Sequence, residues 1–264
     1  MHKYLKAIVA IFTFYSVNLI TKFLAQFALI FYDPKFITAI LTGEYTEEHR
    51  SIMRSPEVLG TVYILATLII IVFLFQTGII RKRDNLRTGG IRWGYALLTA
   101  MSMFVFYYLF EDSWTHLWAP SDYDDMGRDY GILLTIYMAV FSPLVEECIF
   151  RAGIQGNLIK EGMNKWVALG ISAFIFGLVH WSITQFLPVT LFGLATGWLY
   201  MKSRSIYPSL ILHTINNTLA MVLIKTHTTS ALDGGGTTVI TAYIAIAAIA
   251  LTTMIIGGRL MIKE

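Results

Sequence analysis

The stretch Ser142-Pro-Leu-Val-Glu-Glu-Cys-Ile-Phe-Arg151 decides how this chain folds. It sets two adjacent carboxylates, Glu146 and Glu147, inside an apolar run that begins at Gly131 and continues through Ile154, Leu158 and Ile159. A helix over the whole run has about 30 residues, enough to cross a hydrocarbon core about 30 Å thick. Glu146 then falls near its midpoint. Pro143 is predicted to kink the helix beside the glutamates, because a proline inside a helix removes a backbone hydrogen bond. Ionisable groups at that depth are costly, so they mark a functional site before they mark a structural one.

Outward from this run, the same pattern recurs. Of 264 residues, 56% are hydrophobic and 14% are charged, against about 25% charged in a soluble domain. The apolar residues come in blocks of roughly 20, the length of a membrane span. Eight spans are predicted: Leu5–Phe31, Val58–Ile80, Ile91–Phe110, Gly131–Ile159, Trp166–Phe186, Pro188–Met201, Ile206–Ile224 and Val239–Gly258. The fold class is therefore an all-α polytopic membrane protein, one integrated membrane domain. Within it, residues 1–130 form a three-helix N-terminal region, 131–225 a core, and 226–264 a last transmembrane helix. The apolar run after Met1–Lys6 is too long for a signal peptide and is predicted to be the first span. The outer segment Tyr32–Glu57 is expected to hold a short surface helix. Glu111–Tyr130 is expected to be an acidic, aromatic outer loop.

Loop charge sets the expected orientation. With the N-terminus in the cytoplasm, most loop cations fall on that side, among them Arg81, Lys82, Arg83, Arg87, Lys160, Lys165, Lys202 and Arg204. Lys35, Arg50, Arg54, Arg128 and Lys225 fall on the other. Both termini are expected to be cytoplasmic, in the plasma membrane of a prokaryote. The net charge of +3 is small and there is no basic tract, so no nucleic-acid partner is expected. Cys148 is the only cysteine, which excludes an intrachain disulfide. Gly193 and Gly197 make a GxxxG in the sixth span, read as close packing within the chain rather than as a dimer face.

Three spans carry polar groups to one depth. Glu146 lies about 14 residues before the inner turn Lys160–Lys165, and His180 about 14 residues after Trp166, so each sits roughly 20 Å along its helix. His213 and Asn217, in the seventh span, reach roughly 14–20 Å from Arg204. Residues four apart share a helix face. Glu147 can thus pair with Arg151, His213 can act with Asn217, and Phe176 can wall one side of His180. Glu146 is rotated about 100° from Glu147 and is free to face elsewhere. A carboxylate with a histidine can hold and deprotonate a water. A histidine with an asparagine can donate hydrogen bonds to an oxyanion. Water attack on a peptide carbonyl needs both.

Taken in order, Glu146-Glu147-x-x-x-Arg151, Phe176-x-x-x-His180 and His213-x-x-x-Asn217 resemble the CAAX prenyl endopeptidase and bacteriocin-processing membrane protease family, the type II CAAX proteases with an Abi domain. The resemblance covers about 131–224. It implies a glutamate-type intramembrane endopeptidase without metal or other cofactor. In that family's terms, Glu146 is the general base, His180 helps hold and activate the water, His213 and Asn217 form the oxyanion hole, and Glu147 with Arg151 is the supporting ion pair. The implied substrate is a membrane-associated peptide or protein, with or without a lipid tail. One departure is Ala152 after the arginine, where the family often has glycine.

Other readings remain open at this level. Glu146, His180 and His213 could make a zinc set, although no HExxH helix is present. Cys148 could be a nucleophile, but Glu147 beside it disfavours the thiolate. Buried Glu and His also serve proton-coupled transporters, yet no inverted repeat is visible. A non-catalytic scaffold of the same fold would have no reason to keep every one of these polar groups.

Overall fold

The computed structural model describes residues 4–32, 36–118, 130–226 and 236–262. Among the described residues, eight main helical stretches follow one another where eight spans are predicted, and five of them have the length and hydropathy of a membrane span. The eight are α1 (Leu5–Tyr32), α2 (Pro56–Gln76), α3 (Trp93–Trp118), α4 (Gly131–Lys160), α5 (Lys165–Leu178), α6 (Ile183–Ser203), α7 (Ile206–Thr226) and α8 (Gly236–Leu260). No strand occurs among the described residues. The chain is an all-α polytopic membrane protein. Within the outer segment Tyr32–Glu57, two short helices appear, Phe36–Thr42 and Glu47–Arg54. The second starts at Thr46, whose hydroxyl accepts the His49 amide as an N-cap.

α4 runs through the middle. α1 and α2 pack on one side of it, α5 and α7 on the other, and α6 joins α5 to α7. Every residue from Glu147 to Gln155 is buried, among Phe150, Phe176, Phe192 and Leu212. α8 lies on α3 at the periphery and exposes Ile240, Ile244 and Ile249, apolar residues suited to lipid. Close approach depends on glycine. A Cβ on Gly60 of α2 would meet the backbone of Leu133 and Leu134 at 2.3–2.4 Å.

Gly193 and Gly197 face α5 of the same chain. A Cβ on Gly193 would lie 3.1 Å from Ala173 Cα, and one on Gly197 would lie 2.5 Å from Leu169. The GxxxG is an intrachain packing face here. Gly193→Val should force α5 and α6 apart and lower stability by about 1–3 kcal/mol, read as a lower thermal midpoint in detergent. A changed oligomeric state with an unchanged midpoint would move that glycine to an interchain face.

Three predicted boundaries are corrected. α3 continues to Trp118, two turns into the expected outer loop, while 119–129 lie outside the described residues. The fifth span ends at Leu178 rather than Phe186, and the sixth begins at Ile183 rather than Pro188. The reason is local chemistry. Ser182 caps α6 by accepting the Gln185 amide, and Trp181 takes a left-handed φ of 54° that no helix continues. Pro188 therefore sits inside α6. Its missing N–H frees the carbonyl of Thr184, four residues earlier. The Trp114 indole donates to that carbonyl at 2.8 Å and closes the gap.

The long run Gly131–Lys160 forms, but not as a uniform α-helix. Tyr137–Phe141 and Glu147–Gln155 are π-helical, with α-turns at Ser142–Glu146 and Gly156–Lys160. The predicted kink at Pro143 takes this form. A π-turn widens the helix where the proline ring would strike the preceding turn.

Candidate active site

Glu146 ends the α-turn between the two widened segments of α4, and Glu147 opens the second of them. In the first, the Ser142 amide donates back five residues to the Tyr137 carbonyl. The next carbonyl, that of Met138, would then need the amide of residue 143, and Pro143 has none. Asn217 of α7 takes it, its Nδ2 donating to the Met138 oxygen at 3.0 Å. In the second widened turn, the Phe150 carbonyl accepts from Ser172 of α5 at 2.8 Å. Backbone groups within a membrane need partners inside the protein, and neighbouring helices provide them here.

His213 is held by Glu147 and lies beside Glu146. Its Nδ1 lies 2.9 Å from Glu147 Oε1 and its Nε2 lies 3.6 Å from Glu146 Oε2. The ring is buried between Phe176 and Phe192, at centroid distances of 5.8 and 5.0 Å. Glu147 also pairs with Arg151, Nε to Oε2 at 3.2 Å, and both side chains are 0% exposed. The guanidinium donates on to Thr196 at 2.5 Å and to Ser172 at 3.4 Å, and lies 4.9 Å above the Phe176 ring. Glu146 is 14% exposed. Its Oε1 accepts from Ser142 at 2.5 Å. Only Glu146 of the pair keeps an opening to its surroundings.

His180 lies in the turn just past α5 rather than within a helix. The predicted neighbourhood with Phe176 survives: the rings are 4.9 Å apart. Nδ1 is 2.8 Å from the Phe176 carbonyl. A carbonyl only accepts, so Nδ1 carries the proton, and in the neutral ring Nε2 is left as the acceptor. One aromatic ring, Phe176, thus touches both histidines.

The structure brings Glu146, Glu147, Arg151 and His213 into one connected cluster. His180 joins it through Phe176, and Asn217 borders it through the helix break. The predicted separation of the two carboxylates holds for Arg151 and not for the histidine, since Glu147 bonds His213 and Glu146 lies beside it. Sequence reasoning missed Ser142, Ser172, Thr196 and Phe192. Ser142 was within reach of the rule of four, being four residues before Glu146. The others come from different helices, and nothing local marks them. Cys148 is buried at 2% exposure in the apolar core. Among the described residues, no three His, Cys, Asp or Glu side chains converge as a ligand set for a metal ion.

The cluster therefore draws on α4, α5 and α7 in that order, inside 131–217. Residues 128–219 match the family model for type II CAAX prenyl endopeptidase Rce1-like proteins. The matched segment holds every residue of the cluster. A Bacillus subtilis (strain 168) protein named "Putative membrane peptidase YdiL" is 33% identical over 91 residues, 34% of this chain and 37% of that protein. A Lactococcus lactis subsp. lactis (strain IL1403) protein named "UPF0177 protein YxdF" is 33% identical over 89 residues, 33% of this chain and 48% of that protein. The chain spans less than half the length of these curated relatives. No solved structure matches it.

Proposed function

We propose that this chain is an intramembrane endopeptidase that cleaves a membrane-associated peptide or protein with a water activated by Glu146. The observation that carries the reading is the asymmetry of the pair. Glu147 is sealed against Arg151 and His213, while Glu146 remains partly open and presents Oε2 beside His213 Nε2. A base must reach its water, and the opening that Glu146 keeps and Glu147 lacks supports Glu146 in that role.

In this reading Glu146 takes a proton from the water as its oxygen attacks the scissile carbonyl. His180, with Nδ1 tied to the Phe176 carbonyl, offers Nε2 to orient that water. Glu147 fixes the ring of His213 through Nδ1, and Nε2, when protonated, is a donor for the oxyanion. Asn217 spends one amide hydrogen on Met138 and has a second to give. The proton held by Glu146 then passes to the leaving amine. Preorganised donors in a site shielded from water strengthen each of these interactions. The mechanism calls on no metal.

The test uses the purified chain in liposomes with a panel of labelled peptides, with and without a prenyl tail. Cleavage is expected, and it should survive incubation with excess chelator. Proton or solute flux without cleavage would replace the protease reading with a transporter. Activity lost to chelator and restored by zinc would replace the glutamate mechanism with a metal one.

A further inference from the structure

A second site is built at the other end of α4. Gly156 is ten residues past Glu146, about 15 Å along the helix. There the ends of α2, α4, α5 and α6 surround an open cavity of about 810 Å³. Pockets of roughly 300–1,000 Å³ hold small ligands, so this one is larger than a lone ion requires. Six cations line it: Arg81, Arg83, Arg87, Lys160, Lys165 and Arg204. Its one lining carboxylate is Asp84, which binds Lys160 at 2.8 Å and Arg83 at 3.5 Å. The hydrogen bond from Lys160 holds the Asp84 carboxyl below the usual carboxylate range. Arg81, Arg87 and Arg204 meet no carboxylate among the described residues, and all three are exposed.

The cavity is braced rather than loose. Tyr200, 5% exposed, donates to Asn85 at 2.7 Å. Asn157, 6% exposed, donates to the Ile79 carbonyl at 3.0 Å. Leu86 bridges to Ser205. These bonds pin the segment 79–87 to α4 and α6, and so hold like charges together that would otherwise spread apart. Ile79, Ile159 and Met201 form an apolar wall beside the cations. A cationic mouth with an apolar wall, at the ends of membrane helices, fits an anion that carries hydrocarbon.

We propose that this cavity binds the phosphodiester headgroup of an anionic phospholipid, with the first carbons of its chains against the apolar wall. A free phosphate shares the charge but leaves that wall bare. Binding here is separate from the peptidase chemistry and is read without it.

The full chain, stripped of lipid in detergent, is offered phosphatidylglycerol or phosphatidylcholine with identical acyl chains, and bound lipid is counted by native mass spectrometry. Phosphatidylglycerol should be retained at least about tenfold better, since several basic residues near one headgroup each attract its negative charge. The exposed triple variant R81Q/R87Q/R204Q should lose most of that preference, and R50Q/R54Q, at the opposite end, should keep it. Equal retention of the two lipids by the unmodified chain overturns the proposal whether or not the variants fold. So does equal preference in the folded triple variant. Displacement of the lipid by millimolar inorganic phosphate or glycerol phosphate would assign the cavity to a soluble phosphate and overturn the lipid assignment.

Discussion

Glu146→Gln should abolish peptide cleavage while leaving the protein folded. The substitution keeps the shape and still lets Ser142 donate to the side-chain oxygen. It removes the group that accepts the proton of water. A positioned acid–base group contributes roughly 10²–10⁴ in rate, so turnover should fall by about that factor. KM should change little, because in this reading Glu146 acts on the water and not on the peptide. Thermal stability should be nearly unaffected, since Glu146 is partly open and touches His213 only at 3.6 Å. Turnover equal to that of the unmodified chain would refute the mechanism. Ser142→Ala is the milder companion. It frees Glu146 Oε1 and should lower turnover without abolishing it, measured on the same peptide.

Arg151→Met should be the most destabilising single change in the core. Arg151 is fully buried and has four partners: Glu147, Thr196, Ser172 and the Phe176 ring. Removing it strands the Glu147 carboxylate at zero exposure. Breaking a buried ion pair from one side costs about 3–5 kcal/mol, most of it from the charge left behind. The double variant E147Q/R151M removes both charges and should recover part of the loss. A double-mutant cycle on unfolding in detergent measures that coupling. If the single and double variants lose the same stability, the loss comes from the contacts of Arg151 with α5 and α6 and not from the charge stranded on Glu147. Both variants should lose activity, because His213 is no longer oriented by a carboxylate that Arg151 holds in place.

These two outcomes separate roles that look alike in the primary structure. The carboxylates are neighbours in sequence, share an apolar helix and approach the same histidine. Burial distinguishes them. Glu147 is enclosed and cannot take a proton from a bound water without breaking its ion pair. Glu146 has an opening and a hydroxyl partner. The expected results follow: loss of rate with stability kept for one, loss of both for the other side of the pair.

Much of this was legible along the chain, because membranes simplify the code. Apolar blocks of roughly 20 residues have one stable solution, the helix, since backbone groups in lipid must bond within their own segment. That constraint yielded the helices and the all-α class directly from the residue pattern. The spacing of four placed Glu147 with Arg151, and Phe176 with His180, because both are contacts between successive turns. Depth along each helix aligned the three polar segments without any knowledge of packing.

Tertiary structure decided the rest. The break after Leu178 and the start of α6 at Ile183 depend on Ser182, Trp181 and a tryptophan arriving from α3 to satisfy Thr184. The widened turns around Pro143 are stable because Asn217 and Ser172 reach across from other helices to the carbonyls. The pairing of both glutamates with His213 is likewise a contact between helices, more than 60 residues apart in the chain. A single sequence records which side chains a helix carries and how deep they lie. It does not record which way each helix is turned towards its neighbours, because that rotation is set by packing against all of them at once. For Glu146 and Glu147, their place along a long apolar helix was written in the sequence. Which of the two was sealed and which was left open was settled only when α5, α6 and α7 closed around them.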